Sequence, residues 1–162
     1  MSVNTYKAHV LILPEDDANR ELALGFMLNS AVKTKAIEVL QSAGGWHEAL
    51  TKLNRNHAAD MRRFPHRHMV ILIDFDSDSN RHATATARIP ADLKDRVYIV
   101  GAFKEPEDLK RDLGSFESIG EALARDCRHD TYATWGHPLL AHNAAELDRL
   151  RSQVRPILFP EA

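Results

Sequence analysis

Cysteine is almost absent from this 162-residue chain, where Cys127 stands alone. One thiol excludes an intramolecular disulfide and a multi-cysteine metal site, and it fits a reducing compartment. Long apolar runs are missing as well: none approaches the roughly 20 residues that span a bilayer. There is no excess of positive charge. The formal net charge is −2 with histidines neutral, which excludes a broad basic surface for nucleic acid. A local basic groove stays open, because metal ions can neutralise phosphate. No repeat and no low-complexity tract breaks the sequence, and its polar start leads straight into a predicted strand, so no signal peptide is expected. Apolar residues make up 44% and charged residues 27%, an ordinary balance for a globular chain. The expectation is one cytoplasmic domain over residues 1–162, without a membrane partner.

What is present is a series of apolar runs alternating with amphipathic ones. Lys7–Leu13, Lys35–Gln41, His68–Ile73 and Arg96–Gly101 read as strands. Asn19–Leu28, Trp46–Leu53, Pro106–Leu113, Phe116–Cys127 and Asn143–Val154 read as helices. Residues 77–94 hold few apolar anchors and read as a long exposed loop, and Ile157-Leu158-Phe159 reads as a last short strand. Alternating strands and helices predict a three-layer α/β domain with a mainly parallel central sheet, Rossmann-like in topology, and a helical C-terminal third over 105–162.

Two acidic segments stand directly after the two purest apolar runs: Glu15-Asp16-Asp17 after His9–Leu13, and Asp74-Phe75-Asp76-Ser77-Asp78 after Met69–Ile73. Such runs predict strands buried on both faces of a parallel sheet, and parallel sheets carry their chemistry beyond the carboxyl ends of their strands. The interval of about 60 residues between Glu15 and Asp74 holds a helix, a short strand and a second helix. It therefore brings the third strand back beside the first. At least three carboxylates would then meet and require a cation to stay ionised; hard oxygen donors favour a magnesium-type ion. Asp74 and Asp76, two apart, share a face if the backbone stays extended. Gly44-Gly45 lies midway, after the intervening strand, where glycine permits close approach of backbone or substrate.

Glutamate after the first strand, glycine after the second and Asp-x-Asp after the third resemble the Toprim domain, shared by topoisomerases, bacterial primases and small nucleases. The resemblance covers Lys7 to Gly101. It departs from the family where Asp16 replaces a frequent glycine and Ser77-Asp78 replaces another. It implies a magnesium-dependent (or manganese-dependent) nuclease acting on DNA or RNA. Asp74 and Asp76 would hold one or two ions, and Glu15 would act as ligand or general acid/base. Asp78, Glu105 and Glu107 are further candidate ligands. Gly44, Gly45, Arg81, Arg88 and Lys104 are candidates for substrate contact, with Lys94 beside them. No catalytic tyrosine of a topoisomerase is evident. A partner ATPase or second subunit, and a homo-oligomer, are compatible with so small a chain.

Each residue also has a plainer explanation. Acids at Glu15–Asp17 suit a helix N-terminus, which favours each by about 0.3–1 kcal/mol. Asp and Ser at 74–78 suit a turn, and Glu105-Pro106-Glu107 suits a helix start. The basic run Arg62–His68 lies at the wrong end of its strand, roughly 20 Å from Asp74 at about 3.3 Å per residue, and His66-x-His68 is only half of a zinc site. His129, His137 and His142 form no recognisable metal set. Trp46 and Trp135 suit core or interface positions, and Cys127 suits a buried, inert helix end. Two further functional readings stay open. One is a phosphoacceptor module similar to a response-regulator receiver, with Asp74 phosphorylated and Asp16 and Asp17 on magnesium. The other is a catalytically inactive Toprim-like binding subunit.

Overall fold

In the computed structural model, which describes residues 2–161, four strands form one all-parallel sheet. They are β1 (His9–Pro14), β2 (Ile37–Val39), β3 (Arg67–Leu72) and β4 (Val97–Val100), in the order β2-β1-β3-β4. β1 thus lies between β2 and β3, with Val10 opposite Ile37 and His68, and Leu13 opposite Ile71. Alternate residues of β1 and β3 enter different cores. Leu11, Leu13, Met69 and Ile71 pack on one face with Leu50, Leu53, Met61 and Leu93. Val10, Ile12 and Val70 pack on the other with Ala23, Ala124, Val154 and Leu158. Two buried faces explain why these strands carry no polar alternation.

The helices are α1 (Asp17–Met27), α2 (Trp46–Lys52), α3 (Ala58–Arg63), α4 (Arg81–Thr86), α5 (Glu107–Leu113), α6 (Phe116–His129), α7 (Ala144–Gln153) and α8 (Arg155–Leu158). The first caps are chemically explicit: the Asp16 side chain accepts from Asn19 N–H, and Ser115 accepts from Ser118 N–H. α1 and α6 cross closely, since a Cβ on Gly120 would lie 2.1 Å from the Leu22 carbonyl oxygen. Among the described residues no helix is long and apolar enough to cross a membrane.

The expected three-layer α/β arrangement and helical C-terminal third are present, with four local corrections. Residues 77–94 are not an exposed loop: they contain α4 and lead into a 3₁₀ turn at Ala91–Arg96, and they bury Ala85, Ile89 and Leu93. Those three anchors recur every four residues, a helical stripe weakened by the small Ala85 and interrupted by Pro90. Ile157–Phe159 is no strand: Arg155–Leu158 is helical, with Pro156 in its first turn, where a missing N–H costs nothing. β2 is only three residues long because Thr34–Ala36 is a 3₁₀ turn. The helix opened by Trp46 continues through a π-helical turn, Leu53–His57, into α3.

At the amino end of the strands, the fully buried His9 donates from Nδ1 to the Lys7 carbonyl (2.7 Å) and accepts at Nε2 from Arg67 Nε (2.9 Å). This fixes His9 neutral. His68 pairs with the Tyr98 hydroxyl at 3.0 Å, and burial pushes its pKa down to about 4. Folding therefore favours the neutral ring. That contribution is whole above the unfolded value near 6.5 and is lost as pH falls from there toward about 4. At up to about 1–3 kcal/mol, it is visible in a melt. The stability of wild type relative to His68→Gln is expected to shrink steadily between pH 7 and pH 5 in thermal denaturation. A constant difference would remove His68 from the balance.

Candidate metal centre

The β1–β3 pairing continues past both strands. Glu15 N–H donates to the Leu72 carbonyl at 2.8 Å, and the Glu15 side chain turns back so that Oε2 accepts from Asp74 N–H at 2.6 Å. On the other side of β3, Ile73 N–H donates to Val100 and Phe75 N–H to Ala102, each at 3.0 Å. Asp74 is thereby held in the sheet between two strand ends, 8% exposed. Asn19, in the first turn of α1 and 1% exposed, donates from Nδ2 to Asp74 Oδ1 (2.9 Å) and to Asp16 Oδ1 (3.0 Å). One buried amide thus ties the helix cap to the end of the third strand.

Three carboxylates converge here. Glu15, Asp16 and Asp74 each bring one oxygen within 4.8 Å of the others. Burial is the main reason that Asp74 is pushed up to about 7, with the charges of Glu15, Asp16 and Glu107 adding to it and the Asn19 hydrogen bond opposing it. Glu15 is raised as well, first by burial and then by Asp16 and Asp76, against the Asp74 N–H and Arg81. Three oxygen ligands with a surplus of negative charge match what a hard divalent cation requires. An acidic cluster able to bind a metal ion is therefore part of this fold.

Other predicted residues lie farther from the trio. Asp76 is at the same edge but half exposed, and its carboxylate accepts from Arg81 at 2.6 Å. The expected shared face with Asp74 is lost because Asp76 and Ser77 adopt φ of 48° and 60°, which ends extended geometry. Asp78 is exposed and accepts from Asn80 N–H, as a turn residue does. Asp17 sits in the first turn of α1 and accepts from Ser42 Oγ at 2.5 Å. Glu105 and Glu107 are exposed at the start of α5, where Glu107 reaches the trio only through its field on Asp74.

Gly44 and Gly45 do border the site. Their N–H groups donate to the Glu15 carbonyl at 2.9 and 3.1 Å. Their φ values are 100° and 146°, and a Cβ at either would meet nothing within 4 Å, so both glycines face open space. Arg81 is in the site, donating to the Asp74 carbonyl at 3.0 Å. Arg88 is turned away onto α2, donating to His47 O and Thr51 Oγ1. Lys94 and Lys104 are exposed.

Among the described residues no histidine joins a group of three side chains that could hold a metal ion. His137 pairs with Asp112 at 2.8 Å, His142 packs edge-on against Phe75 and Phe103, His129 and His66 are exposed, and His68 faces Tyr98. Arg62 is engaged by Asp92. Trp135 is buried and donates to the Leu123 carbonyl, whereas the partly buried Trp46 lies under Arg81. Burial raises the Cys127 thiol to about 11, which leaves it unreactive.

Sequence reasoning gave Asp16 to the metal only in the receiver-like reading, and it missed Asn19 altogether. Asp16 was hidden because helix capping accounts for an aspartate there by itself. The available signal for Asn19 was a poor helix former placed in the first helical turn. No family model, no curated protein and no solved structure matches the chain.

Proposed function

We propose that this protein is a magnesium-dependent phosphoryl-transfer enzyme acting on nucleic acid, a nuclease of the Toprim kind. The observation that carries this reading is the convergence of Glu15, Asp16 and Asp74 at the carboxyl edge of a parallel sheet, beside open space at Gly44-Gly45. Bound there, a magnesium or manganese ion would polarise a phosphoryl oxygen and steady the leaving oxygen. Asp16 and Asp74, oriented together by Asn19, are the residues that would hold it. Glu15 is positioned by the Asp74 N–H, and its raised proton affinity suits it to take or give a proton. Asp76 joins this chemistry only if its pairing with Arg81 opens.

The test is cleavage of phosphodiester substrates, plasmid DNA and a structured RNA, against added Mg2+ or Mn2+. Wild type is expected to cleave one of them only with metal. Glu15→Gln is expected to lower the rate by about 10²-fold or more, the usual contribution of a general acid or base. Cleavage that persists in Glu15→Gln at the wild-type rate, or in excess chelator, would sink the reading.

A second reading has one specific observation in its favour: Asp16, not Asp76, completes the trio, as a receiver-like phosphoacceptor centre would have it. Against it, Gly101-Ala102 after β4 offers no hydroxyl, and Asp17 is bound to Ser42. Incubation with acetyl phosphate separates the two, since only a phosphoacceptor gains about 80 Da on Asp74, the mass of one phosphoryl group.

A further inference from the structure

We propose that Arg81 is the phosphate-contact residue of this site and that Asp76 is the anion it holds while no phosphate is bound. The inference rests on the phosphoryl-transfer reading of the same edge and assigns the side chain that would recognise the substrate. Three independent features of Arg81 lead there. Its guanidinium lies 4.8 Å above the Trp46 ring, a flat seat that orients the fork without using its donors. One terminal nitrogen, Nη1, makes both of its hydrogen bonds, to the Asp74 carbonyl and to Asp76 Oδ2. Nε is buried with no partner at all. A guanidinium presents five donors in a planar fork that matches two oxygens of a phosphate. Here that capacity is largely unspent in a side chain only 13% exposed.

Asp76 is suited to be displaced. It is half exposed, and residues 76 and 77 are in left-handed backbone conformations outside any strand or helix. An ion pair whose carboxylate is half exposed is weak, so a dianionic or monoanionic phosphate that engages two guanidinium nitrogens can replace it. Exchange of Asp76 for phosphate would also release a fourth carboxylate beside Glu15, where its field is already felt.

The experiment is equilibrium binding of a dinucleotide with a phosphorothioate linkage to the full chain, first in EDTA and then with Mn2+ followed by electron paramagnetic resonance. Wild type is expected to bind the dinucleotide with a change in tryptophan emission, because Arg81 shifts on Trp46. Arg81→Met, which keeps the stacking length without the charge, is expected to weaken dinucleotide binding at least tenfold while retaining Mn2+. Asp76→Asn is expected to act in the opposite direction, tightening metal-free dinucleotide binding about threefold to fivefold, the range for releasing one half-exposed ion pair. A structural role for either residue would not give these opposite signs. Wild-type affinity in Arg81→Met, or no gain in Asp76→Asn, overturns the assignment. Failure of wild type to take up Mn2+ overturns the metal reading instead, and leaves the Arg81 result to be judged on the EDTA arm.

Discussion

Asp74→Asn is expected to abolish metal binding and, in the same protein, to raise the melting temperature of the metal-free fold by roughly 5–10 °C at pH 8. The reason is the direction of the Asp74 shift. Its carboxyl is pushed up to about 7 in the folded chain, against about 3.9 when unfolded. An acid raised on folding holds its proton more tightly in the native state. Native stability therefore declines as pH rises from about 4 through 7, and above that the fold carries the full cost of a buried, crowded charge. A shift of this size corresponds to about 2–4 kcal/mol. Asparagine removes the charge but keeps an oxygen for the Asn19 amide, and its own amide can donate toward Glu15 or Asp16. In wild type the same relief comes from a cation. Saturation at a hundredfold excess over Kd would return about 2.7 kcal/mol, with release of a proton near neutral pH. The check is a matched series of melts from pH 5 to pH 8, with and without Mg2+. The stabilisation by Asp74→Asn should grow with pH and vanish when wild type is loaded with metal. Since His68 moves wild-type stability in the opposite direction below pH 6.5, the difference between the two proteins is the quantity to read. A variant less stable than wild type at pH 8 would mean that the three carboxylates do not strain the fold.

That conflict between stability and site was legible in the sequence only in outline. The strands β1 and β3 were plain because burial on both faces leaves no polar position, and this alone fixed where Glu15 and Asp74 begin. Their adjacency followed from counting one short strand between them. Local chemistry then ran out. Asp16 has a sufficient explanation as a cap for α1, and nothing in the order of residues says that its neighbour Asn19 also reaches Asp74, 55 positions away. Asp76 failed in the opposite sense. Alternation placed it beside Asp74, but alternation holds only while the chain is extended, and the backbone turns left-handed at that residue. Arg81 appeared as one of several cations in a loop. Its distinction from Arg88 and Lys104 lies in a helix begun at Arg81 itself and in Trp46 across the site, both tertiary facts. The misread segments share a cause. The stripe Ala85, Ile89, Leu93 and the ending Pro156-Ile157-Leu158 are too short for periodicity to decide between helix, strand and loop.

Gly101→Ala is expected to be severely destabilising, although it adds one methyl group at a residue that carries no chemistry. A Cβ at this position would stand 1.7 Å from the Ile73 carbonyl oxygen and 2.8 Å from its carbon. Both are backbone atoms of the neighbouring chain segment, so no side chain can rotate away, and relief requires the segments after β3 and β4 to separate. They are bonded on either side of the contact, by Ile73 N–H to Val100 and Phe75 N–H to Ala102. The Gly101 peptide is also clamped from the other direction: its N–H donates to Asn143 Oδ1 at 3.2 Å, and Asn143 Nδ2 donates back to its carbonyl at 3.0 Å. Overpacking against a rigid wall costs about 1–3 kcal/mol when the surroundings yield. Here at least two ladder bonds must open as well, at about 1 kcal/mol each, for a total of about 3–5 kcal/mol and a fall in melting temperature on the order of 10 °C. The residue displaced first is Asp74, which lies between the two bonds. Surviving folded protein is therefore expected to bind Mn2+ more weakly even at a temperature where it is fully native. Circular dichroism melts and manganese titration on the same sample test both halves. A variant that melts within 2 °C of wild type with full metal affinity would show that the end of β4 does not press on Ile73, and that the sheet does not hold Asp74 in the manner argued for the site.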